Sequence, residues 1–154
     1  MMLDTSGYIH LSDATDVYDS HDYTQDLKTL TEHYETLFKT DGNPWNAYPR
    51  DRHSSYRGQP FLVSEFGGFK VKTQATADSD WGYGKEQSVQ DFLRHYKAMV
   101  DILMDNPNVA GFAYTQLTDV EQEQNGVYTY DRRPKYDPAL LKAIHARKAA
   151  CETR

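Results

Sequence analysis

The sequence repeats one unit three times: a short apolar segment is followed by a longer segment with the periodicity of an amphipathic helix. We predict strands at 16–23, 61–65 and 109–116. We predict helices at about 25–40, at about 88–105 and from Pro138 onward. Because strands alternate with helices, the pattern predicts an α/β fold built around a parallel sheet.

The second apolar segment ends in an acid and a pair of glycines, Ser64-Glu65-Phe66-Gly67-Gly68. An unbroken apolar run is typical of a parallel strand whose two faces are both covered. Active sites of α/β proteins lie at the carboxyl ends of such strands. Glycines at that point let the backbone turn sharply and approach a ligand. Glu65 is therefore a candidate functional carboxylate, and the alternative is a residue that caps a neighbouring loop.

Composition narrows the classes of partner. The 154 residues carry a formal net charge of −6 and a pI near 5.4, which argues against a nucleic-acid or anionic-membrane surface. No apolar stretch approaches the roughly 20 residues of a membrane span, and the first ten residues lack the features of a signal peptide. Cys151 is the only cysteine, so no internal disulfide can form. The 12 tyrosines suit sugar recognition, because each joins a flat apolar face to a polar group.

Three strand–helix units are too few for a closed (β/α)8 barrel, which has eight units and typically ~250 residues. Met1-Met2-Leu3-Asp4 has the composition of the end of a strand, and a loop follows at Thr5-Ser6-Gly7. Three units and part of a fourth fit the C-terminal half of a TIM (β/α)8 barrel. We therefore expect residues 1–154 to form one partial barrel domain that contains about strands 5 to 8.

Four segments resemble glycoside hydrolase family 2, the group of β-galactosidases, β-glucuronidases and β-mannosidases. Residues 64–68 resemble the segment that bears the nucleophile, and residues 16–23 are similar to the sixth barrel strand. Residues 109–121 resemble the eighth strand and its loop, and residues 124–135 match a subgroup described as sugar-binding family 2 proteins. Where better-known members carry a tryptophan after the eighth strand, this chain has Tyr114-Thr115-Gln116.

The resemblance implies a retaining glycosidase that acts on β-glycosides (β-galactoside-like) without a cofactor or a metal. In such enzymes one carboxylate attacks the anomeric carbon and a second serves as acid and base, about 5–5.5 Å away. Glu65 matches the nucleophile. Tyr23 matches a tyrosine that hydrogen-bonds the nucleophile, and its alternative role is to close the strand end. The family's acid/base follows an asparagine, and no Asn-Glu pair occurs here, so we expect the isolated chain to be inactive.

Four further residues are candidate substrate-binding groups: His21, Trp81, Gln116 and Asp119. His21 could form a metal site with Asp19 and Asp22, but His21 and Asp22 are adjacent in an alternating strand and face opposite sides, which favours a hydrogen-bonded histidine. Trp81 lies in the long loop after the second strand, where it either stacks on a sugar or packs on its own loop. Gln116 and Asp119 follow the third predicted strand.

Two functions remain open: a piece of a β-glycosidase, or a non-catalytic carbohydrate-binding or interaction module derived from such a barrel. In both, the partner is a carbohydrate, with no nucleic acid and no membrane. Half a barrel leaves strand edges and inward faces open, including Val63 and Phe112, which predicts self-association or pairing with a missing N-terminal half. Alternatively, the long loops fold back as a cover that includes Trp45, Tyr48 and Trp81.

Overall fold

A computed structural model describes residues 1–5, 7–38, 42–48, 53–71 and 80–153, with the backbone alone at 85–87. Its elements in chain order are β1 (Tyr18–Asp22), α1 (Leu27–Glu35), β2 (Phe61–Gly67), β3 (Phe69–Val71), β4 (Gly84–Gln87), α2 (Val89–Met104), β5 (Val109–Thr115) and α3 (Pro138–Ile144). A short 3-10 helix follows at Ala150–Thr153. Parts of the long loops after α1 and β2 lie outside the described residues. Among the helices described, none has the length and apolar character needed to cross a membrane.

The central sheet has three parallel strands in the order β1-β2-β5. The predicted α/β fold with parallel strands is thereby confirmed. Because β2 pairs with both neighbours and all three strands run the same way, their carboxyl ends meet at one edge of the sheet. The short strands β3 and β4 form a separate parallel pair close to that edge.

Each helix begins at a cap that the sequence supplies. The side chains of Asp26, Ser88 and Asp137 each accept a hydrogen bond from a backbone N–H two or three residues later. Such caps satisfy N–H groups that have no partner inside the helix. The first helix was predicted to extend to about residue 40, and this was wrong. It ends at Glu35 because Thr36 closes it with backbone and hydroxyl bonds to the Glu32 carbonyl.

The helices cover one face of the sheet, and the core lies between the two layers. Its fully buried side chains include Phe61, Val63, Phe66, Phe92, Met99 and Val100. Placing Val63 and Phe112 on the inward face of the sheet was wrong. Val63 is completely buried in this core, and Phe112 packs against Phe66 and against the His145 ring at the end of α3. Large apolar side chains belong on this face because the helices exclude water from it.

The opposite face of the sheet is less covered. A Cβ on Gly111 would lie 3.2 Å from Leu62 Cδ1, so these two residues face the same side. Ser64 and Ala113 lie on that side as well, since strand residues two apart share a face. Leu62 and Ser64 are half-buried and Ala113 is exposed. The described sheet therefore has one helix-covered face and one partly open face.

The N-terminal segment covers the free edge of β1. Asp16 N donates to the Met2 carbonyl at 2.8 Å and His21 N donates to the Gly7 carbonyl at 3.4 Å. Between them, His10 Nε2 donates to the Asp19 carbonyl at 2.9 Å. These bonds satisfy backbone groups that an edge strand otherwise leaves unpaired. Residues 1–4, predicted as the end of a strand, belong to no strand of the structure.

His10 is a fully buried cation between two aspartates. Its Nδ1 lies 2.7 Å from Asp4 Oδ1, and its Nε2 lies 3.2 Å from Asp19 Oδ1. Burial alone lowers the pKa of His10, but the hydrogen bonds to Asp19 and Asp4 and the charge of Asp19 outweigh burial and raise the pKa to about 9. The ring also stacks on Tyr18 and lies close to His53. At neutral pH the protonated ring therefore ties the N-terminal segment to β1.

We predict that the free energy of unfolding decreases as the pH rises from about 6.5 to about 9. The folded state raises the pKa of His10 from 6.5 to about 9, so its stabilisation is complete below pH 6.5 and is lost as the pH rises through 9. The expected loss is about 1–3 kcal/mol, measured by urea unfolding across that pH range. His10→Leu should remove this part of the pH dependence. An identical pH profile in both proteins would contradict the assignment.

Candidate active site

The pairing of β1 with β2 brings His21 beside Glu65. The register is regular from Tyr18 to Ser20 and shifts by one residue before His21, so that His21 is the neighbour of Glu65 across the ladder. A bulge of this kind bends a strand and redirects its side chains. Both residues lie close to the carboxyl ends of their strands, and Tyr23 follows β1 directly. Three candidate residues from two distant segments thus meet at one edge of the sheet.

Glu65 is a half-exposed carboxylate with two partners on the same oxygen. The Tyr23 hydroxyl donates a hydrogen bond to Glu65 Oε2, and His21 Nδ1 lies 3.5 Å from that oxygen. The Glu65 side chain is 35% exposed, whereas His21 is 5% exposed. Oε2 is therefore held from the protein side, and the carboxylate remains accessible to a ligand.

The Tyr23 phenol keeps its proton throughout the ordinary pH range. Burial raises the pKa of Tyr23, and its hydrogen bond to Glu65 raises it further, while a hydrogen bond to Thr115 acts in the opposite direction. Thr115 is the last residue of β5, so the phenol lies where the ends of all three strands meet. A protonated phenol beside a carboxylate acts as a hydrogen-bond donor and stabilises its negative charge.

Two glycines allow loops to pack tightly around this centre. Gly68 has a φ of 68°, and a Cβ there would lie 2.6 Å from the Tyr83 ring and 3.1 Å from the Tyr23 ring. Gly7 has a φ of 76°, and a Cβ there would overlap the His21 ring. Both positions therefore need glycine for its conformation and for its lack of a side chain.

Tyr83 and Trp81 extend from Tyr23, the residue that hydrogen-bonds Glu65. The Tyr83 ring stacks on Tyr23 with centroids 3.7 Å apart, and Trp81 contacts Tyr83 edge-on at 5.7 Å. Trp81 is 47% exposed, although its backbone bonds the loop after β5 through Gln122 and Gln124. Its loop is thus fixed while its ring is presented to solvent.

Gln116 and Asp119 follow β5 but differ in their surroundings. Gln116 is half-buried, and its Nε2 is a buried donor without a partner among the described residues. Asp119 is buried, and its Oδ1 accepts bonds from Gly126 N at 2.8 Å and from Lys135 Nζ at 2.7 Å. Lys135 is equally buried and also donates to the Gln124 carbonyl. This placement gives Asp119 a role in folding the loop and leaves it no surface for a sugar.

The two aspartates of β1, Asp19 and Asp22, lie in different surroundings. Asp22 bonds Thr24 N and His33 on α1, while Asp19 lies beside His10. No group of three or more His, Cys, Asp or Glu side chains within the described ranges could hold a metal ion. The neighbours of His21 therefore serve packing and electrostatics on either side of the strand.

Three aromatic residues close to Glu65 were not assigned to the site from the sequence: Tyr8, Tyr48 and Tyr83. Tyr8 contacts the His21 ring at 4.9 Å and the Tyr48 ring at 5.2 Å. The sequence offers one indication for two of them: Tyr8 and Tyr83 each follow a glycine in a loop, where a ring can approach the strand ends. That signal gives no direction for the rings, because the direction depends on how each loop folds onto the strand ends.

No protein-family model matches this chain, and no curated protein matches its sequence. Solved structures do match. The Bifidobacterium dentium β-glucuronidase is 17% identical with a TM-score of 0.56, over 88% of this chain and 22% of that one. A GH2 β-galacturonidase from Eisenbergiella tayi is 15% identical with a TM-score of 0.57, over 87% and 24%. An exo-β-agarase is 17% identical with a TM-score of 0.59, over 86% and 16%.

These likenesses concern the fold. The chain has the fold of a segment of these glycoside hydrolases, and it spans less than a quarter of the length of each of the three. Glycosidases of more than one substrate type are among them, so the fold alone selects no sugar.

We predict that Asp119 and Lys135 are strongly coupled in stability. Burial lowers the pKa of Lys135 while the charge of Asp119 opposes this, so removing one partner leaves the other charge buried and unpaired. Asp119→Asn or Lys135→Met should each cost about 3–5 kcal/mol in urea unfolding. The double variant should cost clearly less than the sum. Additive losses would show that the pair does not organise the loop.

Proposed function

We propose that this chain is the C-terminal part of the catalytic barrel of a retaining β-glycosidase, about strands 5 to 8, with Glu65 as its nucleophile. The observation that carries the proposal is the Tyr23 hydrogen bond to Glu65 at the carboxyl ends of adjacent parallel strands. Active sites of α/β barrels lie at that end. The helix-covered and open faces of the sheet suit one wall of a barrel. The likeness in fold to segments of glycoside hydrolases adds support.

The two oxygens of Glu65 have different roles in this proposal. Oε2 is held by Tyr23 and faces His21, so Oε1 is the oxygen that attacks the anomeric carbon. The new carbon–oxygen bond forms as the glycosidic bond breaks, and the electron pair leaves with the departing oxygen. Water then cleaves the glycosyl ester and releases Glu65 as a carboxylate. Tyr23 stabilises that returning charge, which favours the second step.

The acid/base is supplied from outside this sequence. It contains no Asn-Glu pair, Glu32 and Glu35 lie on α1, and Glu121 and Glu123 lie in the loop after β5. Without a general acid to protonate it, the departing sugar oxygen leaves about 10²–10⁴-fold more slowly than it does with that acid in place. The chain by itself therefore does not hydrolyse ordinary β-glycosides, and the whole enzyme cleaves O-glycosidic bonds of β-galactoside-like substrates.

A mechanism-based probe tests the nucleophile without requiring the acid. Dinitrophenyl 2-deoxy-2-fluoro-β-glycosides carry a leaving group that departs unprotonated, and the fluorine slows release of the glycosyl ester. We predict that the chain, incubated with the galacto, gluco, glucurono and galacturono forms, gains one glycosyl unit by mass spectrometry. Peptide mapping should place it on Glu65.

Two variants test whether the labelling depends on Glu65. Glu65→Gln should abolish labelling, and Glu35→Gln, which alters an exposed glutamate of α1, should leave it unchanged. Absence of a label from the whole panel, or a label that persists in Glu65→Gln, would contradict the proposed nucleophile. Sugar binding without labelling would instead favour a non-catalytic carbohydrate-binding module.

A further inference from the structure

The first segment of the chain lies along β1 with little apolar anchorage; we call residues 1–5 and 7–12 the N-terminal strap. Within this described part of the chain, the buried residues are Gly7 and His10, and glycine has no side chain to pack. Most of the large apolar side chains of the strap are exposed, Leu11 to 82%: Met1, Met2, Leu3, Tyr8 and Leu11. Hydrophobic burial therefore contributes little to holding the strap on the sheet.

His10 is the side chain that fastens the strap. Its Nδ1 lies 2.7 Å from Asp4 Oδ1, and its Nε2 donates to the Asp19 carbonyl at 2.9 Å and lies 3.2 Å from Asp19 Oδ1. Asp4 in turn accepts hydrogen bonds from Leu11 N at 3.0 Å and from Ser12 N at 2.9 Å. One imidazole ring thus joins the fold of the strap to β1.

Only the doubly protonated ring suits these partners. Both ring nitrogens face acceptor oxygens, whereas a neutral imidazole has a single N–H. Loss of a proton turns a lone pair toward an oxygen of Asp4 or Asp19 and leaves two buried carboxylates without the cation between them. The other titratable groups described around the ring are Tyr18 of β1, which stacks on it, and His53 from the segment before β2, whose Nδ1 accepts the His10 backbone N–H.

The strap also contacts the candidate active site. The Gly7 carbonyl accepts a hydrogen bond from His21 N at 3.4 Å, and the Tyr8 ring meets the His21 ring at 4.9 Å. His21 Nδ1 lies 3.5 Å from Glu65 Oε2. A single residue, His21, therefore separates the strap from the carboxylate.

We propose that the N-terminal strap is a pH-sensitive switch, closed on β1 while His10 carries two ring protons and open when His10 loses one of them. Opening removes the hydrogen bond and the ring contact that the strap makes with His21, so it changes the surroundings of Glu65. Because the strap buries few apolar groups, it opens without unfolding the sheet. The inference goes beyond the proposed function and does not depend on the reaction assigned to Glu65.

The direction and size of the effect follow from proton binding. In the open strap the pKa of His10 returns to its ordinary value of 6.5, whereas in the closed strap the hydrogen bonds to Asp19 and Asp4 and the charge of Asp19 outweigh burial and raise the pKa to about 9. Closure is therefore fully favoured below pH 6.5 and weakens as the pH rises through 9. Complete deprotonation lowers the ratio of closed to open strap about 300-fold.

A nitroxide label on the strap measures its opening by electron paramagnetic resonance. Leu11→Cys in a Cys151→Ser background carries the label, because Cys151 is the only natural cysteine and Leu11 points to solvent. We expect the spectrum of this label to sharpen as the pH rises from about 7 to about 10. A label at Lys28→Cys, on an exposed position of α1, should keep its line shape and report that the rest of the chain stays folded.

Three variants test whether His10 controls the strap. His10→Gln should give the sharpened Leu11-label spectrum already at neutral pH, since an uncharged side chain cannot neutralise both aspartates. Asp4→Asn should move the transition to lower pH, because it removes one of the two carboxylates that hold the proton. Asp13→Asn is the matched control, since Asp13 directly follows the strap and its side chain is 83% exposed, and it should leave the transition unchanged. Far-UV circular dichroism verifies that each variant is folded.

The link to the site has its own readout, the ring resonances of His21 in histidine-labelled protein. They should shift over the same pH range as the Leu11 label and lose that shift in His10→Gln. A Leu11-label spectrum that stays constant to about pH 10, a transition that persists in folded His10→Gln, or simultaneous sharpening at Leu11 and Lys28 would overturn the switch. Opening of the strap with constant His21 resonances would overturn its link to Glu65. None of these measurements uses a sugar, so failure of the fluoroglycosides to label Glu65 contradicts the nucleophile alone.

Discussion

The parallel pairing of β1 with β2 is the constraint on which the candidate site depends. The shift in register before His21 places that residue opposite Glu65 and carries Tyr23 onto the carboxylate. A slip of one residue would turn every later side chain of β1 to the other face. His21 and Tyr23 would then leave Glu65, so the chemistry proposed here requires this register.

The surroundings of β1 fix that register from three directions. On the helix side, Asp22 bonds His33 of α1, and at the free edge His10 and the N-terminal segment occupy backbone groups. Beyond the strand end, Tyr83 stacks on Tyr23. The buried charges of His10 and its two aspartates thus stabilise an edge on which the site depends, although they lie outside the site itself. The half-open face of the sheet has no comparable support among the described residues, and pairing with an N-terminal half remains a proposal.

Local sequence signals predicted most of the fold and the centre of the site. Apolar runs predicted the three central strands, apolar periodicity predicted the three helices, and the position of Glu65 at a strand end made it a candidate. Burial and side-chain orientation that depend on contacts between distant residues could not be predicted from local sequence. The burial of Asp119 depends on Lys135, sixteen residues further on. The helix-facing orientation of Phe112 depends on which face α3 covers, and the contact of the Tyr8 ring with His21 depends on Gly7 lying against His21.

The most direct test of the account is the hydrogen bond between Tyr23 and Glu65 itself. A hydroxyl proton donated to a carboxylate in a partly buried site exchanges slowly and resonates downfield, so proton NMR of the chain can detect it. We predict one such resonance, correlated with the Tyr23 ring and lost in both Tyr23→Phe and Glu65→Ala. Its absence from the wild-type protein, or its persistence in folded Glu65→Ala, would contradict the strand register and the site built on it.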